Sequence, residues 1–101
     1  MPVADCTDVL KALSDRTRQR IVKALLAGDM SVNELTEQLG LSQYNTSKHL
    51  RVLKEAGIVE ARVIGSRREH YIATTFRKRV ERGSVTLDFG CCTFRADQLP
   101  D

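Results

Sequence analysis

Residues 31–53, SVNELTEQLGLSQYNTSKHLRVL, carry two short helical patterns on either side of a glycine, and the second is polar and hydroxyl-rich where a core helix would be apolar. Ser31 and Glu34 have the S-x-x-E spacing of a capping box, which satisfies two otherwise unpaired amides and starts a helix through Val32, Leu35 and Leu39. Gly40 stops that helix. Ser42 is placed to cap the next one, whose inward stripe is Thr46, Leu50, Leu53 and Ala56 before Gly57 ends it. Two short helices across a tight turn make a helix-turn-helix. Gln43, Tyr44, Asn45, Ser47 and Lys48 are left facing outward.

These outward side chains suit the edges of DNA bases. Gln43 and Asn45 can pair bidentately with adenine, Ser42 and Ser47 can donate or accept, and Lys48 can meet guanine or phosphate. Tyr44 can touch a base or a phosphate, or simply be an exposed aromatic at a helix start. His49 suits a phosphate contact or packing against an earlier helix, and Arg51 completes the candidate set. A helical hairpin inside an unrelated bundle would show the same apolar spacing, so the next segment matters.

Directly downstream, residues 58–64 and 67–72 are β-rich and separated by Gly65-Ser66, a two-residue loop whose leading glycine fits a type II′ turn. Arg62, Arg67 and Arg68 crowd the tip of the expected hairpin. A basic hairpin after a reading helix is a wing, able to reach phosphates or a narrow minor groove. A charged hairpin that is merely solvated is the plainer alternative.

With 101 residues the chain has room for one small module, and a module of this size gains stability by pairing with a second copy. The net charge of +3 is unevenly placed: residues 42–82 hold ten basic and four acidic side chains. Positive charge therefore coincides with the reading helix, the wing and the segment after it, as a polyanion partner requires. A membrane surface is a poorer fit, because no strongly amphipathic basic helix accompanies the charge. The absence of a signal peptide and of a long apolar run points to the cytoplasm.

Upstream, Asp5 or Thr7 can open a first helix through Val9, Leu10 and Leu13. Ser14 or Asp15 can open a second through Ile21, Val22, Leu25 and Leu26, closed by Gly28. Their apolar stripes read as core, with Arg16, Arg18 and Arg20 on the remaining surface.

Taken in order, LKALSDRTRQRIVKAL, VNELTEQLGLSQYNTSKHLRVLKEAGIV and ARVIGSRREHYIA resemble the ArsR/SmtB family of winged-helix metalloregulators over residues 10–72. The resemblance implies a mainly α fold with a small β-hairpin, a winged helix-turn-helix. It also implies a homodimeric transcriptional repressor that sits on an inverted-repeat operator in double-stranded DNA and leaves when an effector binds. Two-fold symmetry lets each reading helix take one half-site. The chain departs from the family's best-known sensing sites. Ser31 and Asn33 stand where relatives carry the two cysteines of an arsenic site, and no histidine follows His70 to build a zinc site on a final helix.

Three cysteines remain as effector ligands: Cys6 at the first helix, and the adjacent Cys91 and Cys92 in SVTLDFGCCTFRAD. Soft thiolates select soft ions, and trivalent arsenic or antimony is satisfied by three sulfurs, so As(III) is the leading expectation, with Sb(III), cadmium, lead or an oxidant after it. Neighbouring strand residues point to opposite faces, so Cys91 and Cys92 can share an ion only if the chain bends, which Gly90 permits. Free cysteines are also commonly small buried hydrophobes. A small thiol redox enzyme fits poorly, because there is no C-x-x-C, catalytic triad, phosphate loop or carboxylate pair. A DNA-binding protein without an effector is a third possibility.

The expected division is a DNA-binding domain over residues 5–83 and a cysteine-bearing sensor and dimerisation tail over 84–101. Phe76 and Val80, at i and i+4, suggest a short last helix over 75–83, and the resemblance implies that the final helix packs against the first to form the dimer. Val85, Leu87 and Phe89 alternate as in a strand that breaks at Gly90, and ADQLPD is expected to fray.

Overall fold

The computed structural model describes residues 5–74, 76–81 and 84–101. Four helices come first: α1 (Cys6–Leu13), α2 (Arg16–Ala27), α3 (Val32–Leu39) and α4 (Gln43–Glu55). Each begins at a side chain that accepts a hydrogen bond from a backbone amide three residues on: Asp5 from Asp8, Asp15 from Arg18, Ser31 from Glu34 and Ser42 from Asn45. At α3 the capping box is complete, since the Glu34 carboxylate also accepts from the Ser31 amide at 2.9 Å. Gly40 and Gly57 lie past the ends of α3 and α4 with φ of +68° and +76°, a left-handed conformation that glycine adopts without strain. Beyond Gly57 the Ile58 amide reaches back to the Leu53 carbonyl and the Gly57 amide to that of Lys54, closing a Schellman motif.

The wing follows as β1 (Val59–Ile64) and β2 (Arg67–Ile72), paired antiparallel with Ile64 opposite Arg67 across the Gly65-Ser66 loop. Gly65 has the expected positive φ, +64°. Met30, in the loop before α3, exchanges two backbone hydrogen bonds with His70 of β2, which fastens the base of the wing to the helical body.

The tail differs from expectation. In place of a helix over 75–83 there is β3 (Arg77–Glu81), paired antiparallel with β4 (Ser84–Asp88), which in turn pairs with β5 (Thr93–Arg95). Thr75, Arg82 and Gly83 of that expected helix lie outside the described residues. The i, i+4 spacing of Phe76 and Val80 was too short a pattern to decide the matter, and pairing with the alternating strand β4 decides it for β. The break at Gly90 is present, with φ of +84° and its amide donating to the Asp88 carboxylate at 2.8 Å. Residues 96–101 are not frayed either: Ala96–Gln98 forms a 3-10 turn, and Leu99 is buried.

One core joins all of this. Val9, Leu13, Ile21, Val22, Leu25, Leu35, Leu50, Leu53, Ile58 and Ile72 pack together, and Leu87, Phe89 and Leu99 of the tail join the same cluster. Phe89 also stacks edge-on with Phe76 and Phe94, at centroid distances of 4.6 and 5.8 Å. Burial of each large aliphatic side chain stabilises the fold by about 1.5–3 kcal/mol, so the tail is a structural part of the module. Among the described residues no helix is long and apolar enough to cross a membrane.

Candidate nucleic-acid interface

Helix α4 presents one buried stripe and one open face. Thr46, Leu50 and Leu53 are buried, and the Thr46 hydroxyl is satisfied by the Ser42 carbonyl and the Thr36 hydroxyl, both at 2.9 Å. That pair of threonines lets a polar residue sit between α3 and α4 without an unpaired group. With the stripe fixed inward, Ser42, Gln43, Tyr44, Asn45, Ser47, Lys48 and Arg51 all emerge on the exposed side. Tyr44 is 76% exposed, more than any other large apolar side chain that the described residues leave open to solvent. Gln43 is already engaged, donating to the Asn33 side chain at 3.0 Å, which holds its amide near the start of α4.

His49 is the exception in the set. It is partly buried, and its Nδ1 accepts from the Arg18 guanidinium at 3.2 Å. Burial pushes its pKa down, the cations Arg18 and Lys48 add to that, and Asp15 opposes it. A neutral ring that accepts at Nδ1 carries its proton on Nε2, the nitrogen left for an external acceptor.

The wing arginines are brought to one hairpin, yet their electrostatic situations differ. Arg62 pairs with Asp29 and lies over the Tyr71 ring, 4.6 Å from its centroid. Arg67 pairs with Glu34 of α3 and, at 3.3 Å, with Glu69. Arg68 is exposed, and no described residue pairs with it. These ion pairs are open to solvent and correspondingly weak, so a phosphate can take over either arginine. The apolar wing tip also protrudes, with Val63 65% and Ile64 51% exposed.

The sequence treated Arg18 and Arg20 as surface decoration, and the structure gives both a task. Arg18 donates to the Ala12 and Lys11 carbonyls at the end of α1, at 2.6 and 3.2 Å, tying α1, α2 and α4 together. Arg20 donates to the Leu39 carbonyl at the end of α3, at 2.8 Å. Helix-end carbonyls lack intrahelical partners, and a nearby arginine is the usual cation to satisfy them. No signal in the sequence marks these roles, because the approach of each arginine to another helix's end is set by the fold.

Of the three candidate sulfur ligands, two are brought together and one is set apart. Cys6, the first residue of α1, is disulfide-bonded to Cys91 just past Gly90, with Cα atoms 5.6 Å apart. Both belong to one chain, so this link is within a protomer. Cys92 is a free thiol, half-buried against the core, and burial together with Asp88 pushes its pKa up. The turn at Gly90 thus sends the adjacent cysteines to different surroundings. Among the described residues no cluster of three or more His, Cys, Asp or Glu side chains is placed to hold a metal ion. In this conformation the donor set does not fit a three-sulfur ion.

A model of the family described as "Bacterial regulatory protein, arsR family" matches residues 15–61, which run from the cap of α2 into the wing. The chain is 43% identical over 58 residues to a biofilm growth-associated repressor of Xylella fastidiosa, covering 57% of this chain and 51% of that protein. It is 41% identical over 66 residues to an HTH-type transcriptional regulator of Methanocaldococcus jannaschii, covering 64% of this chain and 74% of the relative. The chain thus spans about half the length of the Xylella repressor and most of the archaeal regulator. Among solved structures, the homodimeric winged helix-turn-helix DNA-binding domain of a possible ArsR-family regulator from Mycobacterium bovis superposes with a TM-score of 0.65. It is 33% identical, over 68% of this chain and 64% of that one. These relatives are named as a repressor, an HTH-type transcriptional regulator and a possible ArsR-family transcriptional regulator. The cap-by-cap helix order, the wing and the matched stretch agree, and the chain belongs to the ArsR family of bacterial regulatory proteins.

Proposed function

We propose that this chain is a DNA-binding transcriptional repressor that acts as a symmetric homodimer on an inverted-repeat operator. The single observation that carries this reading is the open polar face of α4, held outward by the buried Thr46, Leu50 and Leu53 stripe and flanked by a basic wing. Asn45 and Gln43 read base edges in the major groove, Ser42, Ser47 and Lys48 add base or phosphate contacts, and Arg51 and the wing arginines Arg62, Arg67 and Arg68 bind phosphates or enter the minor groove. His49 contributes through Nε2. The homodimeric Mycobacterium bovis relative supports the two-fold arrangement, which places two reading helices about one helical turn of DNA apart.

The effector acts on cysteine. Residues 84–101 serve as the sensor part of a module whose reading part is residues 5–83. Two readings exist, and the Cys6–Cys91 bond favours thiol oxidation over ion capture. In the oxidative reading, Cys6 and Cys91 each lose a proton and together lose two electrons to a peroxide, which is reduced to water as the disulfide forms. In the other, trivalent arsenic or antimony, or else cadmium or lead, takes the reduced thiols, and Cys92 must leave the apolar core to supply the third sulfur.

Fluorescence anisotropy on the inverted repeat upstream of the chain's own gene separates them. The reduced protein is expected to bind. Hydrogen peroxide should weaken binding about 5-fold to 150-fold, the span of a typical coupling energy, and Cys6→Ser should abolish that response. Release by arsenite but not by peroxide would favour the ion. Binding indifferent to both would refute a thiol effector and leave the repressor.

A further inference from the structure

A cavity of about 480 Å³ lies between α2, the end of α3 and the tail. Its walls are mostly apolar, with Ala24, Leu26, Leu39 and Val85 beside the polar Gln38, and two cations of α2, Arg20 and Lys23, line it as well. The chain supplies those cations with oxygen from its own last residue. Arg20 Nε donates to the Asp101 carbonyl at 2.7 Å, and Lys23 Nζ lies 2.5 Å from the Asp101 carboxylate while also donating to the Leu99 carbonyl at 3.1 Å. The hydrogen bond and charge of Lys23 hold the Asp101 carboxyl below the usual carboxylate range.

Asp101 is an anion without an apolar body, and its side chain is 94% exposed, so it covers the cationic edge and leaves the apolar walls unpartnered. A solvent-exposed pair of this kind is weak and readily exchanged. Arg20 spends one donor on the Leu39 carbonyl and one on Asp101, and its guanidinium has five. Apolar walls with a few convergent polar groups are the usual make-up of a small-molecule site.

We propose that this cavity binds a small amphipathic monocarboxylate, whose carboxylate displaces Asp101 at Lys23 and Arg20 and whose hydrocarbon body lies against Ala24, Leu26, Leu39 and Val85. The charge requirement disfavours a neutral alcohol of the same length. The apolar walls exclude a small, fully hydrated anion. The site is separate from the face of α4 and from Cys6 and Cys91, so its test needs no DNA and no redox change.

Octanoate is the probe, with 1-octanol as its uncharged counterpart, each titrated calorimetrically into the intact chain while backbone amide shifts are followed by NMR. One octanoate per chain should bind, with shifts centred on Ala24, Leu39 and Val85, and octanol should bind about tenfold more weakly, because a charge-assisted bond is lost. Lys23→Gln, at a half-buried position, should weaken octanoate by a similar factor. Asp101→Asn should tighten it a few-fold by removing the competing carboxylate. Equal binding of octanol and octanoate, shifts elsewhere in the chain, or no binding to Asp101→Asn at millimolar octanoate would overturn the proposal.

Discussion

Glu34 serves two masters, and the two can be separated chemically. Its carboxylate accepts from the Ser31 amide to complete the α3 cap, and it pairs with Arg67 of the wing. Those hydrogen bonds and the Arg67 charge outweigh partial desolvation and hold its carboxyl below the ordinary value. Glutamine can replace it in a capping box but cannot neutralise a guanidinium. Glu34→Gln should therefore preserve the fold and release Arg67 for phosphate, tightening DNA binding about threefold at low salt with a steeper salt dependence. Unchanged affinity in anisotropy titrations across salt would show that Arg67 does not meet DNA. His70 gives a second prediction at this scale. It is 1% exposed, with its Nδ1 unpartnered among the described residues. Burial and the cations Lys54 and Arg68 lower its pKa from 6.5, against a smaller opposing effect of its bond with Met30. The native fold disfavours the charged ring, so below 6.5 protons bind the unfolded chain more readily, and stability rises with pH through that window. His49 shifts in the same direction. The Tm should fall on acidification from about pH 7 to 5.5, and His70→Gln should flatten that slope. An undiminished slope would assign the effect to other groups.

Local chemistry made the helices legible, and long-range pairing hid the tail. Asp15, Ser31 and Ser42 each act on an amide three residues away, so their roles stand in the sequence itself. The inward stripe of α4 was legible for the same reason, since Thr46, Leu50 and Leu53 recur at helical spacing. Strand β3 was not, because its conformation depends on pairing with β4, and strand preference is decided by such neighbours more than by composition. The exposed set on α4 could be read ahead of the structure, whereas the pairing of Arg62 with Asp29 and of Arg67 with Glu34 could not, since each joins residues 33 positions apart. Removing a cap tests how much of α3 rests on local chemistry. Ser31→Ala leaves the Glu34 amide at the start of the helix without its side-chain partner and should cost about 1 kcal/mol in a urea titration, lowering the midpoint without changing the slope. A loss below a few tenths would mean that packing of Leu35 and Leu39 alone sets the helix start.

At the scale of the whole molecule, α4 and the wing stand on one shared core, and the tail is bound into it twice. Leu87, Phe89 and Leu99 bury themselves with the helices, and the Cys6–Cys91 bond ties the first helix to a residue 85 positions away. Cys91 is thereby linked to α1, which Arg18 connects to α2 and to His49 of α4. The order of residues 96–101 was hidden in the sequence because it depends on burial of Leu99 in the shared core and on bonds from Arg20 and Lys23 of α2. The proposed DNA-reading role of α4 rests on its exposed polar face. Its most direct test compares the native chain and Asn45→Ala, both reduced, on the chain's own inverted repeat and on a scrambled duplex of equal length and charge. The predicted result is a loss of about 1–3 kcal/mol on the repeat with little change on the scrambled duplex, because a base contact is removed while the phosphate contacts stay. Equal losses on both duplexes, or none on either, would contradict it.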